Sequence, residues 1–233
     1  EAGLGYLLGI HPLALDEVGE GTLEKLRDEV AKRMTDPHFI GIGEVGLDGF
    51  VPGIDQALAK EVFLAELRIA RDFSLPLSIH VRRSGSQTMG ALRRLPPPGG
   101  AVHAFNGSDV ERDTFLGFAL RLGFGGAATY AGSKRIRRHL AELPDGAWLL
   151  ETDAPDMPGS KRRDAHEKEG LSLATEPADI LEAAKAAAQL RGITVGEVAK
   201  VSRDAAIAAF PRLPGLLALP DAFAKRFGSS QLD

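Results

Sequence analysis

Residues 39–80 read FIGIGEVGLDGFVPGIDQALAKEVFLAELRIARDFSLPLSIH. This stretch decides the fold class. Phe39 to Gly43 is an apolar run of strand length. Leu58, Val62, Ala65, Ile69 and Phe73 then step by 4, 3, 4 and 4, which places them on one face of a long helix. Leu75 to Ile79 is apolar again, with Pro76 at its entrance, where a missing N–H is tolerated. Strand, helix, strand is a βαβ unit, and its two strands must run parallel. Glu44 follows the first of them and His80 the second.

The alternation continues outward from this unit. Upstream, Tyr6 to Ile10 reads as a strand, and Leu23, Leu26, Val30 and Met34 mark an amphipathic helix. Thr22 is its expected N-cap, with Glu24 in the first turn. Downstream, a helix over Gln87–Arg94 ends at Pro96-Pro97-Pro98. Then come a strand over Ala101–Phe105, a short helix after Ser108 and a glycine-rich strand over Leu122–Ala128. A helix over Ser133–Leu143 and a strand over Ala147–Glu151 follow, and Pro177–Leu190 and Val195–Phe210 are helical. The polar stretch Pro155 to Thr175 reads as a long loop, of the kind that is functional or mobile. Six strands, each followed by a helix or by a loop and helix, imply a parallel sheet with helices outside. A doubly wound open sheet and a (β/α)8 barrel both satisfy that pattern. No repeat or linker divides the chain, so residues 1–233 read as a single domain.

Composition narrows the chemistry. The chain of 233 residues can bury a core without disulfides, and its 44% apolar and 26% charged residues are those of a globular protein. No apolar run is long enough to span a membrane. With no cysteine there is no thiol nucleophile and no Cys-type zinc site, so a transition-metal site must use His, Asp and Glu. A net charge of −4 argues against a strongly basic nucleic-acid-coating protein, though not against a local basic patch. No signal-peptide pattern is present, and the expected location is the cytoplasm.

The ionisable residues gather at strand ends. His11 follows YLLGI, Glu44 follows FIGIG, His80 follows LPLSI, Asp153 closes AWLLET, and His103 lies inside AVHAF. Active sites of parallel α/β folds form at the C-terminal ends of strands. Each histidine alone reads more readily as a hydrogen-bonded structural residue, Glu44 alone as a helix-dipole or loop carboxylate and Asp153 alone as a cap. Several together are costly to bury without a cation, and imidazoles with carboxylates are ligands for Zn²⁺, Mn²⁺ and similar ions.

At these residues the sequence resembles the TatD family of metal-dependent hydrolases, the TatD-type deoxyribonucleases. The matching segments are Gly9-Ile-His-Pro12, Gly43-Glu-Val-Gly-Leu-Asp48, Leu75-Pro-Leu-Ser-Ile-His-Val-Arg-Arg83, His103-Ala-Phe-Asn-Gly-Ser108 and Leu150-Glu-Thr-Asp-Ala-Pro155. The resemblance implies an α/β fold, a (β/α)8 TIM barrel of the metal-dependent hydrolase type with a metal centre at its C-terminal mouth. It implies two divalent ions per subunit (Mg, Mn or Zn), bridged by Glu44. His80 and His103 ligate one of them, and Asp153 is a ligand and the general base for the attacking water. His11 would lie near the second metal or the substrate phosphate; Arg82, after His80, either binds the substrate by contacting a phosphate or is a solvent-exposed charge on a βα loop. DNA or another phosphodiester is the implied substrate, with no membrane and no obligate protein partner.

The sequence departs from the family at its front, where the His-x-His motif and any counterpart of the first two strands are absent, and at Asn106, where the family has Ser. A (β/α)8 barrel has about 250 residues. The expectation is therefore a chain lacking the first one or two βα units, an N-terminal segment of roughly 50–60 residues. Two other functions fit the same residues: hydrolysis of a small phosphoester, amide or lactone, and metal-poor binding without catalysis.

The remaining candidates divide between site and scaffold. Asp48 either orients a ligand or caps its loop. Arg83 reads more readily as solvated charge than Arg82 does. Lys161, Arg162 and Arg163 could draw a polyanion or simply face water. Gly123, Gly125 and Gly126 suggest close backbone approach rather than a phosphate loop. His38, His139 and His166 read as surface or structural, and Trp148 as core.

Overall fold

The computed structural model describes residues 4–213. The chain gathers into two compact units. Of the described residues, one holds 4–103, 107–121 and 207–213. The other holds Ala104–Asn106 and Leu122–Ala206.

The first unit contains β1 (Tyr6–Leu8), α1 (Thr22–Arg33), β2 (Phe39–Asp48), α2 (Gln56–Asp72), β3 (Leu77–Arg82), α3 (Gly85–Arg94), β4 (Gly100–Val102) and α4 (Asp109–Gly117). Its strands pair in chain order, and each pairing is parallel. β2 is the axis of this unit. Phe39, Ile42 and Val45 have no exposed surface and Leu47 has 2%, so the strand is covered on both faces, as a central parallel strand must be. α2 lays Val62, Phe63, Leu67 and Ala70 against it, each large apolar side chain contributing about 1.5–3 kcal/mol by leaving water. Asp55 starts α2 by accepting the N–H groups of Ala57 (2.9 Å) and Leu58 (3.0 Å). Ser108 and Glu111 form a reciprocal capping box that starts α4, the short helix expected there.

The second unit contains β5 (Leu120–Phe124, from Leu122 on), α5 (Lys134–Glu142), β6 (Trp148–Leu150), α6 (Ser160–Glu169), α7 (Ile180–Arg191) and most of α8 (Val195–Ala209). β5 and β6 are parallel. Trp148 is fully buried, as expected of core. Arg191 ends α5 by donating to the carbonyls of Leu140 (2.7 Å) and Leu143 (2.9 Å), and its guanidinium stacks on Trp148.

The structure corrects several readings. β2 does not stop at Gly43 but continues to Asp48, so Glu44 lies within the strand. β4 ends at Val102, so His103 follows the strand rather than lying inside it. Thr22 is the first helical residue, and Gly21 in a left-handed conformation (φ 76°) takes the N-cap place. The polar stretch 155–175 contains the helix α6, which buries no residue and so gives no apolar periodicity to read. The glycine-rich strand is shorter than expected, and Gly126–Thr129 is a 3-10 turn. Close approach at these glycines does hold: a Cβ on Gly125 would lie 2.8 Å from the Glu151 carbonyl, and one on Gly126 would lie 2.6 Å from that of Met157.

Candidate metal centre

Three side chains meet where β1, β2 and β3 of the first unit deliver them. The donor atoms of His11, Glu44 and His80 all lie within 4.8 Å of one another, and each residue is half-buried. His11 comes from the loop after β1. The preceding residue anchors that loop, because the Ile10 N–H donates to Oε1 of Glu66 on α2 at 2.6 Å. Glu44 sits where the β2–β3 register shifts between Ile42 and Val45, an irregularity that re-aims its side chain. His80 is the partner of Gly46 in that register. Gly46 has φ 141°, and a Cβ there would run into the His80 carbonyl oxygen, so glycine is what lets β2 pass this close to His80.

His80 is held from both sides. Its Nδ1 lies 3.0 Å from Glu44 Oε1 and its Nε2 lies 2.9 Å from Asp48 Oδ2. Asp48 is completely buried, and its other oxygen accepts the N–H groups of Phe50 (2.7 Å) and Val51 (2.9 Å). One carboxylate thus fixes both the imidazole and the loop after β2.

Charge follows from this geometry. Burial works against the Glu44 carboxylate, but the nearby His11, the hydrogen bond with His80 and the charge of His103 outweigh it and hold Glu44 well below the usual carboxylate range. Burial likewise disfavours an Asp48 anion, and the N–H groups of Val51 and Phe50 together with His80 reverse the balance. Burial would also depress His80, yet its two carboxylate partners raise its pKa above the ordinary value. In its protonated form His80 donates to both carboxylates. Positive charge is what this pocket selects, and oxygen and imidazole donors suit a divalent cation. Loss of the Nδ1 proton turns that nitrogen into a ligand atom and leaves Nε2–H on Asp48, the support that ligating imidazoles ordinarily have.

His11 stands differently. The Leu13 N–H donates to His11 Nδ1 at 3.2 Å, so that nitrogen carries a lone pair, and the proton of a neutral ring lies on Nε2. Nε2 is 3.8 Å from Glu44 Oε1, and the ring meets His80 edge-on at 4.9 Å between centroids. His11 is thus placed as a donor beside Glu44 and His80.

The other candidates lie as follows. His103 follows β4, half-buried, its N–H donating to the Ile79 carbonyl at 2.9 Å. Asp153 belongs to the second unit, in the segment after β6, also half-buried. Arg82, at the end of β3, is exposed and stacks over the Phe50 ring at 3.8 Å. In the basic cluster, Arg162 forks onto Asp179 (2.7 and 2.9 Å) and Arg163 donates to the Tyr130 hydroxyl (3.1 Å), so two of its three charges have protein partners. His139 is fully buried and structural.

Sequence reasoning missed Glu66, Glu151 and Phe50. Glu66 was legible as a carboxylate three residues after Phe63 and four before Ala70, inside the buried stripe of α2. Glu151 accepts the Ala104 N–H at 2.5 Å within the second unit.

Parallel strands that carry imidazoles and carboxylates to their C-terminal ends, with helices between them, are the arrangement in which barrel enzymes place their active sites. The chain belongs to the TatD related DNase family, whose profile matches residues 2–211. An uncharacterized metal-dependent hydrolase of Haemophilus influenzae is 36% identical over 160 residues, 66% of this chain and 60% of that protein. The Escherichia coli hydrolase YjjV, also uncharacterized, is 35% identical over 154 residues, 65% of this chain and 58% of that protein. These matches thus span less than two thirds of either relative. The human protein named deoxyribonuclease TATDN3 is 29% identical over 223 residues, 90% of this chain and 75% of that protein. The crystal structure of YjjV, a TatD homologue, matches with a TM-score of 0.80 and 28% identity over 89% of this chain and 77% of its own. That likeness selects the TIM-barrel-like architecture over the open sheet.

Proposed function

We propose that this chain is a divalent-metal-dependent phosphodiesterase that cleaves DNA. The observation that carries the reading is the His11–Glu44–His80 cluster, with Arg82 two residues beyond His80 on the same strand. The name of the human relative, a deoxyribonuclease, supports it.

In this reading Glu44, His80, His103 and Asp153 hold two ions of Mg, Mn or Zn. When bound, such ions supply an activated water and neutralise phosphate oxygens. Asp153 accepts the proton of the attacking water. Asp48 keeps the His80 ring in one orientation. Arg82 grips a phosphate oxygen, and His11 donates Nε2–H towards the substrate side. A cytoplasmic location belongs to this reading, and cell fractionation checks it. No helix among the described residues is long and apolar enough to cross a membrane.

A smaller phosphoester is the second reading. It is favoured by the commitment of Arg162 and Arg163 to Asp179 and Tyr130, which leaves less free positive charge for a long polyanion.

The test is hydrolysis of a labelled single-stranded oligonucleotide by the purified chain with Mg²⁺, Mn²⁺ or Zn²⁺, beside a small phosphodiester. Shortening of the oligonucleotide that Asp153→Asn abolishes, with the circular dichroism spectrum unchanged, is the expected result. Cleavage of neither substrate with any of the metals defeats the proposal.

A further inference from the structure

Beside the metal centre lies a surface feature that the ligands do not account for. Phe50 is 44% exposed, an unusual state for a phenyl ring on a loop whose neighbours are so firmly held. Asp48 accepts the Phe50 and Val51 N–H groups, Gln56 Nε2 donates to the Asp48 carbonyl at 2.8 Å, and the Gly49 N–H donates to the Arg82 carbonyl at 2.7 Å. The ring is therefore presented rather than left loose. Two guanidinium groups lie over it, that of Arg82 at 3.8 Å from the centroid and that of Arg83 at 4.6 Å. Arg83 has φ 52°, in the left-handed region that L residues seldom adopt. Among the described residues neither guanidinium has a carboxylate or a hydrogen-bond partner. Two adjacent like charges repel, and one aromatic ring compensates them only weakly. A phosphate is the kind of group that offsets two such charges.

We propose that Phe50, Arg82 and Arg83 form a nucleotide subsite: the guanidiniums take a backbone phosphate, and the Phe50 ring stacks the adjoining base. This rests on the phosphodiesterase reading above and names the part of the substrate that the ions do not touch. A guanidinium drawn to a phosphate gains two charge-assisted hydrogen bonds and leaves the ring. The face it vacates is flat, apolar and fixed in place, which is what a base needs for stacking. The linkage to His80 is direct, because the carboxylate that orients its ring also holds the Phe50 backbone.

Phe50→Trp gives the readout. The sequence has one other tryptophan, Trp148, which is fully buried, so the wild type serves as the blank. The probes are an octathymidylate and an abasic octamer of the same charge, titrated in EDTA so that no cleavage occurs. Saturable quenching of the new fluorescence by octathymidylate, and none by the abasic octamer, is expected. Anisotropy should show Phe50→Ala weakening octathymidylate about tenfold and the abasic octamer less than about twofold. The Arg82→Ala/Arg83→Ala pair should weaken both and flatten the slope of log K against log salt by about 0.7 per lost phosphate contact. Equal quenching by both octamers, no quenching, or an affinity unmoved by Phe50→Ala overturns the subsite. Hydrolysis with added metal keeps the two ideas apart. Cleavage without base-dependent binding defeats the subsite alone, and base-dependent binding without cleavage defeats the phosphodiesterase alone.

Discussion

Replacing Glu66 by Gln should change how stability depends on pH, and the size of the change follows from one proton. Glu66 has no exposed surface. One carboxyl oxygen accepts the Ile10 N–H at 2.6 Å, and the other is buried without a hydrogen-bond partner among the described residues. Burial pushes its pKa well above the ordinary value of 4.5, so the native state favours the neutral acid more than the unfolded chain does. The unfolded chain loses that proton near the ordinary value. Above it the native state binds one proton more than the unfolded state, and linkage makes stability fall by about 1.4 kcal/mol for each unit of rising pH. The stabilisation is fully present below the unfolded pKa and is lost as pH climbs towards the folded one. Gln keeps an acceptor for Ile10 and cannot titrate. Its amide in place of the unpartnered oxygen costs about 1–3 kcal/mol at any pH, so the slope of the difference carries the information. Urea unfolding followed by far-UV circular dichroism, at several pH values from mildly acid to neutral, measures it. The stability of Glu66→Gln minus that of the wild type should rise by about 1.4 kcal/mol per pH unit. A difference that stays flat would show Glu66 ionised in the native state and refute the reasoning.

Three further outcomes are expected. Asp48→Asn should lower the His80 pKa, seen by NMR titration of the ring, and weaken divalent-metal binding by calorimetry roughly 10- to 100-fold; because that pKa is raised, the His80 ion pairs support the metal-free fold fully below about 6.5 and fade as pH rises through the folded value. Gly46→Ala places a Cβ against the His80 carbonyl in a backbone conformation alanine avoids, so it should lower Tm and metal affinity together, whereas a loss of Tm alone would separate the strand contact from the site. Phe63→Ala, on the buried face of α2, should cost about 3–5 kcal/mol in urea unfolding, and a cost under about 1 kcal/mol would mean the α2–β2 core is loosely packed.

Much of the fold was legible because its signals are local. Apolar runs at Phe39–Gly43 and Leu75–Ile79, and the stepping of residues 58–73 between them, reflect backbone periodicity that a chain carries whatever its partners. Within that helix the face was read slightly askew: Val62 and Ile69 are buried, while Leu58, Ala65 and Phe73 are only half-buried, and the packed stripe runs through Phe63, Glu66 and Ala70. α6 was missed for the complementary reason: a helix that buries nothing has no stripe.

The sequence by itself determined which residue types stand near strand C-termini, and so the chemistry open to this protein: imidazole and carboxylate ligands, no thiols, a flanking arginine. The tertiary structure decided what each of them touches. Glu44 is aimed by a register shift against β3, His80 is oriented by Asp48 from 32 positions away, and the loop before His11 hangs on Glu66 from 56 positions away. It also set Phe50 beneath two arginines. Periodicity records how a segment turns its own side chains. Which segment lies opposite, and at what register, is fixed only when the strands pair and the helices close over them.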